Sequence, residues 1–244
     1  MKPARTEILG VPVDCVTMDQ AVAVVGAMLA GDKPCSIMAV NPEKVVRATG
    51  DPLLLDRLRR ADLLIPDGIG IVLAARLLGL GSFERVPGSE LMPRLCARAA
   101  AAGRTVFLFG GAPDVNRQTA TVLQRRFPGI RIVGASHGYL QEEDMPGLIA
   151  AINASRADLL FVALGSPKQE AWIDRYLPAL NVKVCQGVGG TFDVIAGRVK
   201  RAPASVRRLH LEWLYRLVAQ PTRIGRQAAL PLFAWHVLKR KVTG

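Results

Sequence analysis

The stretch "ADLLIPDGIGIV", residues 61–72, passes from an apolar run into an apolar helical pattern within a short turn. Residues 61–65 predict a buried strand, and Gly68 opens the helix that follows. Uninterrupted apolar runs are typical of strands covered on both faces, as in parallel sheets. We therefore expect one strand-turn-helix step of an α/β sheet, with the carboxylate of Asp67 at the carboxyl end of its strand.

The same step recurs along most of the chain. Apolar runs predict further buried strands at 35–40, 105–110, 130–135, 158–164 and 182–188, with helical patterns between them. The segment "EILGVPVDCV" alternates and contains a Gly-Val-Pro, which predicts a small N-terminal β-hairpin. We expect a Rossmann-like α/β fold, that is, a mainly parallel sheet flanked by helices.

Charge is distributed unevenly. Residues 198–244 contain eleven Lys and Arg against one acid, Glu212, and so carry +10 of the net charge of +12. We place a domain boundary near Gly197, with an α/β core over 1–197 and a basic helical appendage over 198–244. Such a segment indicates an anionic partner, which composition alone leaves open between membrane lipid, a diphosphate and nucleic acid.

The remaining bulk features narrow the class of protein. Every apolar run is shorter than the roughly 18 residues that span a bilayer, and the start lacks the apolar core of a signal peptide. These features predict a cytoplasmic protein. The dispersed cysteines, the three histidines and the absence of a DxD motif predict no catalytic metal, and we expect no cofactor.

The predicted strand ends carry residues suited to a phosphate-bearing ligand. Glycine permits close backbone approach, and helix N-termini offer N–H groups to phosphate. Ordinary turn chemistry favours the same residue types, and it is the alternative for each loop taken singly. The candidate ligand residues in these loops are Asn41, Asp67, Gly110, Gly111, Tyr139, Gly165, Lys168, Gln169, Gly190, Thr191 and Asp193.

A dinucleotide-binding oxidoreductase is a less favoured alternative. Gly68 and Gly70 begin a helix after a strand, but Leu73 stands where the third glycine of the fingerprint belongs. Asp67 precedes the first glycine, and its carboxylate would repel a pyrophosphate on that turn. A basic nucleic-acid-binding protein is the second alternative, although the aromatics of the appendage interleave with leucines rather than forming an exposed stacking platform.

Several motifs together resemble one family. "AVNPEKV", "DLLIPDGIGIV", "ERVPGSEL", "LFGG", "GSPKQEAW", "GVGGTFDVIAG" and "KRAPASVRRLHLEWLYRL" occur in the order and spacing of the WecG/TagA/CpsF glycosyltransferases. The resemblance covers about residues 8 to 230. It implies inverting, metal-independent transfer of a sugar from a UDP-sugar donor to a polyprenyl-diphosphate-linked sugar acceptor, in cell-surface polysaccharide biosynthesis. The implied donor sugars are N-acetylmannosamine, its uronic acid or a hexose such as glucose.

The resemblance also implies roles for single residues. Asp67 would be the general base, although capping of the following helix remains its structural alternative. Asn41 and Arg85 resemble residues that line the sugar and acceptor pocket, and Gln169 resembles one near the leaving nucleotide. Tyr139 and Asp193 would contact the nucleoside. Many relatives have a hydroxyl residue two positions before the asparagine, whereas this chain has Ala39, which puts the identity of the donor sugar in doubt.

The basic appendage has an implied double role. Arg216, Arg223 and Arg226 resemble arginines that reach over the active site and neutralise the leaving diphosphate. Its apolar residues would rest on an anionic bilayer surface, on the inner face of the cell membrane; those residues are Trp213, Leu214, Phe233 and Trp235. Packing of this stripe on the core is the alternative. We expect no nucleic-acid partner, and a homo-oligomer is left open.

Overall fold

A computed structural model describes residues 3–81, 83–200, 202–203, 206, 213–215 and 228–243. The strands are β1 Arg5–Ile8, β2 Val11–Asp14, β3 Cys35–Val40, β4 Leu63–Pro66, β5 Thr105–Gly110, β6 Arg131–Ser136, β7 Leu159–Ala163 and β8 Val184–Gly187. The helices of the core are α1 Met18–Ala30, α2 Pro42–Gly50, α3 Pro52–Arg60, α4 Ile69–Leu77, α5 Gly88–Ala101, α6 Pro113–Arg126, α7 Met145–Ser155, α8 Lys168–Tyr176 and α9 Thr191–Ile195. Near the C-terminus lies α10, Ala229–Thr243.

The main sheet is parallel, with strand order β4-β3-β8-β7-β5-β6. The predicted α/β class is therefore confirmed. The predicted hairpin is confirmed as well, because β1 and β2 pair antiparallel in a separate small sheet. All carboxyl ends of the main sheet lie along one edge, which is where open α/β sheets bind ligands.

Helices cover both faces of the sheet. Successive residues of β4 point to opposite sides, so Leu64 belongs to one apolar core while Leu63 and Ile65 belong to the other. The first core contains buried apolar residues of α2, α3, α4, α7, α8 and α10, and the second contains buried apolar residues of α1, α5, α6 and α9. This double cover explains why the strands read as continuous apolar runs.

One predicted strand differs in its burial. Residues 130–135 were expected to form a buried strand, but β6 is half-exposed along its length, and Arg131 and Ala135 are exposed. The physical reason is that β6 is an outer strand that pairs with β5 alone, whereas the other outer strand, β4, is buried and contacts β2 of the hairpin. An apolar run therefore predicts the strand correctly without revealing its place in the sheet.

The C-terminal helix α10 packs against α2 and α4. Its Phe233 and Val237 are each 4% exposed and belong to the first core. The expectation that Phe233 rests on a membrane is therefore wrong, because that ring is buried in the protein. Trp213, Leu214 and Trp235 are exposed. Within the residues described, no helix combines the length and apolarity required to cross a membrane.

Candidate active site

A cavity of about 1040 Å³ lies at the carboxyl edge of the sheet and extends beneath α10. Its walls come from the turns after β3, β4, β7 and β8, from the start of α5 and from α10. The predicted catalytic and ligand residues that line it are Asn41, Asp67, Arg85, Gly165, Gln169, Gly190 and Thr191. Trp213 and Phe233, which were predicted to contact the membrane, line it as well. Segments that are far apart in the chain are thus brought to one place.

Two backbone turns place Asn41 and Asp67 side by side. Asn41 is the N-cap of α2, and its Oδ1 accepts a hydrogen bond from the Lys44 amide at 2.8 Å. The Asp67 amide donates to the carbonyl of Val40 at 2.8 Å, which extends the β3–β4 pairing by one residue. Asp67 therefore follows β4 directly and lies against the end of β3, and its side chain is half-exposed.

The helix after Asp67 does not use that carboxylate as its cap. The N-cap position of α4 is Gly68, with φ of 110°, and no side chain caps the helix. This position of Gly68 argues against the capping alternative for Asp67. Two residues on, a Cβ at Gly70 would lie 2.7 Å from Pro42 Cγ, so only glycine lets α4 approach α2 this closely.

Arg85 reaches the cavity from the segment before α5. The Val86 amide donates to the Pro66 carbonyl at 2.7 Å, which fixes this segment against the end of β4. Arg85 Nη2 lies 3.5 Å from Glu90 Oε1, and the arginine is largely buried, at 19% exposure. Gly88 begins α5 without a side-chain cap and also lines the cavity. A cation and a helix N-terminus therefore lie together, an arrangement that favours an anionic ligand group.

Gln169 is held by a buried polar network. Its Oε1 accepts from the Gly189 amide at 2.9 Å, and its Nε2 donates to Glu170 Oε1 at 3.1 Å. A Cβ at Gly187 would lie 3.0 Å from Gln169 Nε2, so the glycine at the end of β8 makes room for this amide. With 4% of its surface exposed, Gln169 has little rotational freedom.

Sequence reasoning missed the centre of this network. Lys44 Nζ lies 2.6 Å from Glu170 Oε1 and also donates to the Ala39 carbonyl at 2.5 Å. The two side chains are 4% and 0% exposed, and Lys44 lines the cavity. Both residues stand inside quoted motifs, "NPEKV" and "SPKQE", but they are 126 positions apart. Nothing in a single sequence pairs them.

The charge of Glu170 depends on Lys44. Burial by itself would raise the pKa of the Glu170 carboxyl, but the Lys44 ammonium and the hydrogen bonds from Lys44 and Gln169 lower it below its usual value. The Glu170 carboxyl is therefore ionised at neutral pH. Glu170 Oε2 is buried and, among the residues described, accepts no hydrogen bond.

A second group of predicted residues lies beside the cavity rather than in its described lining. Gly110 ends β5 so close to β7 that a Cβ there would lie 2.4 Å from the Ala163 carbonyl oxygen. Gly111 packs near Phe192 of α9 and accepts a hydrogen bond from the Gly138 amide at 2.8 Å. Tyr139, which follows, is 71% exposed.

The remaining predicted ligand residues differ in exposure and in the hydrogen bonds that they already make within the protein. The Asp193 carbonyl accepts from the amides of Arg198 and Val199, and its side chain is half-exposed. Thr191 is buried and its hydroxyl donates a hydrogen bond to the Val188 carbonyl at 2.6 Å, so its side chain stabilises the turn after β8. Lys168 is exposed at the first turn of α8. Arg216, Arg223 and Arg226 lie outside the described residues.

The acidic and sulfur-containing side chains are dispersed. In the part of the chain that the structure describes, no group of three His, Cys, Asp or Glu residues is placed to hold a metal ion. Glu142, which begins the acidic run at 142–144, instead accepts from Tyr176 Oη at 2.8 Å and pairs with Arg175 at 2.6 Å. The cavity lining includes the carboxylate of Asp67, the amides of Asn41 and Gln169 and the guanidinium groups of Arg47 and Arg85. This combination suits proton abstraction beside an anionic leaving group.

Comparison with known proteins gives a consistent result. The model of the glycosyl transferase WecG/TagA/CpsF family matches residues 6–244. An N-acetylglucosaminyldiphosphoundecaprenol N-acetyl-beta-D-mannosaminyltransferase of Bacillus spizizenii is 39% identical over 210 residues, which is 86% of this chain and 81% of the relative. A protein of the same name from Staphylococcus aureus is 36% identical over 240 residues, 98% of this chain and 94% of the relative. With its parallel sheet, its cavity and these matches, the chain belongs to the WecG/TagA/CpsF family and is a glycosyltransferase.

Proposed function

We propose that this enzyme moves a sugar from a UDP-sugar to a sugar carried on undecaprenyl diphosphate, with inversion and without a metal ion. The observation that carries the proposal is the convergence of Asn41, Asp67, Arg85 and Gln169 on one cavity at the sheet edge. The names of the relatives support the lipid-linked acceptor. The product would enter cell-surface polysaccharide biosynthesis.

Asp67 acts as the general base in this proposal. Its carboxylate accepts the proton of the acceptor hydroxyl while that oxygen attacks the anomeric carbon of the donor. The new glycosidic bond forms on the face opposite the leaving group, and the bond from the anomeric carbon to the UDP oxygen breaks. The electron pair of that bond leaves with UDP, and the proton remains on Asp67 until solvent removes it.

Fixed amides orient the donor sugar. Gln169 is locked by Gly189 and Glu170, and Asn41 is locked by its cap on α2. Such preorganised groups lose little entropy when they bind a ligand. We propose N-acetylmannosamine as the donor sugar, and its uronic acid and glucose are the alternatives. Assays with different UDP-sugars distinguish among the three. Ala39 lines the cavity and offers no hydroxyl group to the sugar. The identity of the donor sugar is therefore the first property to measure.

The nucleotide lies toward the other half of the sheet. Gly110, Gly111, Tyr139 and Asp193 bind the nucleoside in this proposal, and the turns at Gly165 and Gly190 allow its phosphates close to the backbone. Lys168 is exposed near these turns and adds a positive charge. Arg85, together with Arg216, Arg223 and Arg226 of the appendage, neutralises the departing diphosphate, a role that a metal ion fills in other transferases.

The appendage over 198–244 also associates the core over 1–197 with the membrane that holds the acceptor. Its net charge of +10 supports binding to anionic lipid on the cytoplasmic face of the cell membrane. The exposed side chains of Trp213, Leu214 and Trp235 support contact with the bilayer surface.

The test is a panel of UDP-sugars incubated with a diphosphate-linked N-acetylglucosamine acceptor. We expect one UDP-sugar, UDP-N-acetylmannosamine, to give product, and we expect turnover to survive excess EDTA. UDP alone should raise the melting temperature, whereas NAD and a short DNA duplex should not. Loss of turnover on chelation with recovery on adding Mg²⁺ would contradict the metal-independent mechanism, and stabilisation by NAD would favour the oxidoreductase.

A further inference from the structure

One arm of the cavity is apolar. It runs between α4, which contributes Gly70, Leu73 and Leu77, and α10, which contributes Ala234, Val237 and Leu238. Both sets recur at spacings of three and four, so each forms one stripe along its helix. We name this arm the α4–α10 groove. From Gly70 to Leu77 it extends for about 10 Å at 1.5 Å per residue.

The walls of the groove expose leucine. Leu73 is 54% exposed, Leu77 41% and Leu238 53%, and all three line the cavity. Apolar surface that remains in water costs about 25 cal/mol per Å² relative to burial. Contiguous exposed apolar residues therefore mark a place where a ligand or partner binds.

The groove begins beside the candidate base. Gly70 is the second residue of α4 and lies three positions after Asp67, and both residues line the same cavity. At this end the lining is polar, with Asn41, Asp67 and Gln169, whereas along α4 and α10 it is apolar. A ligand that fills the whole cavity therefore needs a polar head and an apolar chain.

Two arginines of the cavity could bind a diphosphate that joins the polar head of such a ligand to its apolar chain. Arg47 and Arg85 line the same cavity. Arg47 donates to the Ser166 carbonyl at 3.5 Å and pairs with Glu43 at 3.7 Å, both weak contacts that leave its charge accessible. Guanidinium groups recognise diphosphate oxygens through charge-assisted hydrogen bonds.

We propose that the α4–α10 groove binds the first isoprene units of the acceptor's prenyl chain, an inference that rests on the function proposed above. The prenyl chain is then a recognised part of the substrate and not only its anchor. Beyond the groove, α10 also exposes Leu232, Trp235 and Val242. This additional apolar surface is available to the part of the prenyl chain that lies outside the cavity.

The test compares two acceptors that carry the same sugar diphosphate, one on a short alkyl chain and one on a farnesyl chain, both in detergent solution. The quantity measured is the ratio of kcat/KM for the farnesyl acceptor to kcat/KM for the alkyl acceptor. We expect the wild-type protein to favour the farnesyl acceptor through a lower KM. Leu73→Glu and Leu77→Glu should each lower the ratio about tenfold, since burying a leucine is worth at least that factor.

Leu53→Glu is the matched control. Leu53 is an exposed leucine of α3, 67% exposed, and it is absent from the described lining of the cavity. The ratio should be the same in this variant as in the wild type. Equal losses on both acceptors in Leu73→Glu and Leu77→Glu, or an unchanged ratio, would overturn the proposal.

A photoreactive farnesyl diphosphate gives an independent reading. Its crosslinks should map to peptides of α4 and α10, and an excess of unlabelled farnesyl diphosphate should suppress them. Crosslinks confined to other segments would overturn the proposal. A loss of kcat/KM in Leu73→Glu and Leu77→Glu that appears only with acceptor embedded in vesicles would also overturn it, because the leucines would then contact the bilayer rather than the prenyl chain. If no UDP-sugar gives product with either acceptor, the proposed function fails, while crosslinking still decides whether the groove binds a prenyl chain.

Discussion

Asp67 owes its position to backbone geometry on both sides. Its amide continues the pairing of β4 with β3, and Gly68 then takes a φ of 110° before α4 begins. An L-residue at position 68 would be strained in this conformation. The carboxylate is consequently presented at the cavity by a rigid turn rather than by a mobile loop, as a proton acceptor requires.

Asp67→Asn keeps the size of this side chain and removes its ability to accept a proton. We expect turnover to fall by roughly 10²- to 10⁴-fold, the range typical of a general base. UDP affinity, measured by calorimetry, should stay close to that of the wild type because the turn is preserved. Asp32→Asn, at an exposed position, is the control and should retain full turnover. Near-normal turnover of Asp67→Asn would exclude it as the base.

At the scale of elements, the Lys44–Glu170 pair joins α2 to α8. Lys44 also contacts β3 through the Ala39 carbonyl, and Glu170 is connected through Gln169 to Gly189 in the segment after β8. Removing one member of a buried pair leaves an uncompensated charge. Asn41 is the N-cap of α2, the helix that contains Lys44, and Gln169 precedes Glu170 in α8. The pair therefore helps to fix the positions of Asn41 and Gln169 relative to each other.

Glu170→Gln should lower the free energy of unfolding by about 3 to 5 kcal/mol at neutral pH, because Lys44 remains buried without its counter-ion. The pKa of Glu170 is lowered in the folded protein from the ordinary value of 4.5. Its charge therefore stabilises the fold above pH 4.5, and this contribution is lost as the pH falls through the folded pKa. The difference between variant and wild type should shrink accordingly. Urea titrations at pH 7 and at acidic pH measure it.

Two controls accompany this experiment. Asp19→Asn breaks the surface pair with Arg94, in which Asp19 is 90% exposed, and its effect should be much smaller than that of Glu170→Gln. The double variant Lys44→Met/Glu170→Leu should recover part of the loss, because it leaves no buried charge. A Glu170→Gln variant as stable as the wild type at pH 7 would show that the pair does not support the fold.

The same pair marks the limit of what the sequence predicts. Apolar periodicity located the strands of the main sheet, and strand-end chemistry brought Asn41, Asp67 and Gln169 to one edge, because parallel strands share that edge. The partnership of Lys44 and Glu170 depends on the strand order, and the half-exposure of β6 depends on its place at the end of the sheet away from the hairpin. Periodicity specifies neither. The burial of Phe233 likewise depends on where α10 docks.

For the molecule as a whole, the appendage is partly integrated with the core. Phe233 and Val237 fill the first apolar core, so deletion of 198–244 would expose the surfaces of α2 and α4 that α10 covers. A test of its surface role must therefore keep the helix. The exposed basic residues near its end, Lys239, Arg240 and Lys241, can be changed without touching the core.

Replacing Lys239, Arg240 and Lys241 together with alanine should weaken binding to vesicles that contain anionic lipid and reduce the dependence of that binding on salt. Exposed charges are screened beyond about 8 Å at physiological ionic strength, so wild-type affinity should drop as salt rises. Co-sedimentation at several salt concentrations measures both effects. Replacing Lys33, Arg117 and Arg125, also exposed, removes the same charge elsewhere and should preserve binding. Equal losses in both triple variants would indicate that net charge alone drives association.

The position of β8 has a consequence for how the chain is made. This strand is the last of the sheet to leave the ribosome, yet it lies between β3 and β7. Until it is inserted, the other strands can form the native pairings only within two separate groups, β4-β3 and β7-β5-β6, whose inner edges lack a partner. Such edges are prone to pairing with other chains. Closure of the sheet and assembly of the active site are therefore one late event in biosynthesis, and a nascent chain that stops before β8 has neither.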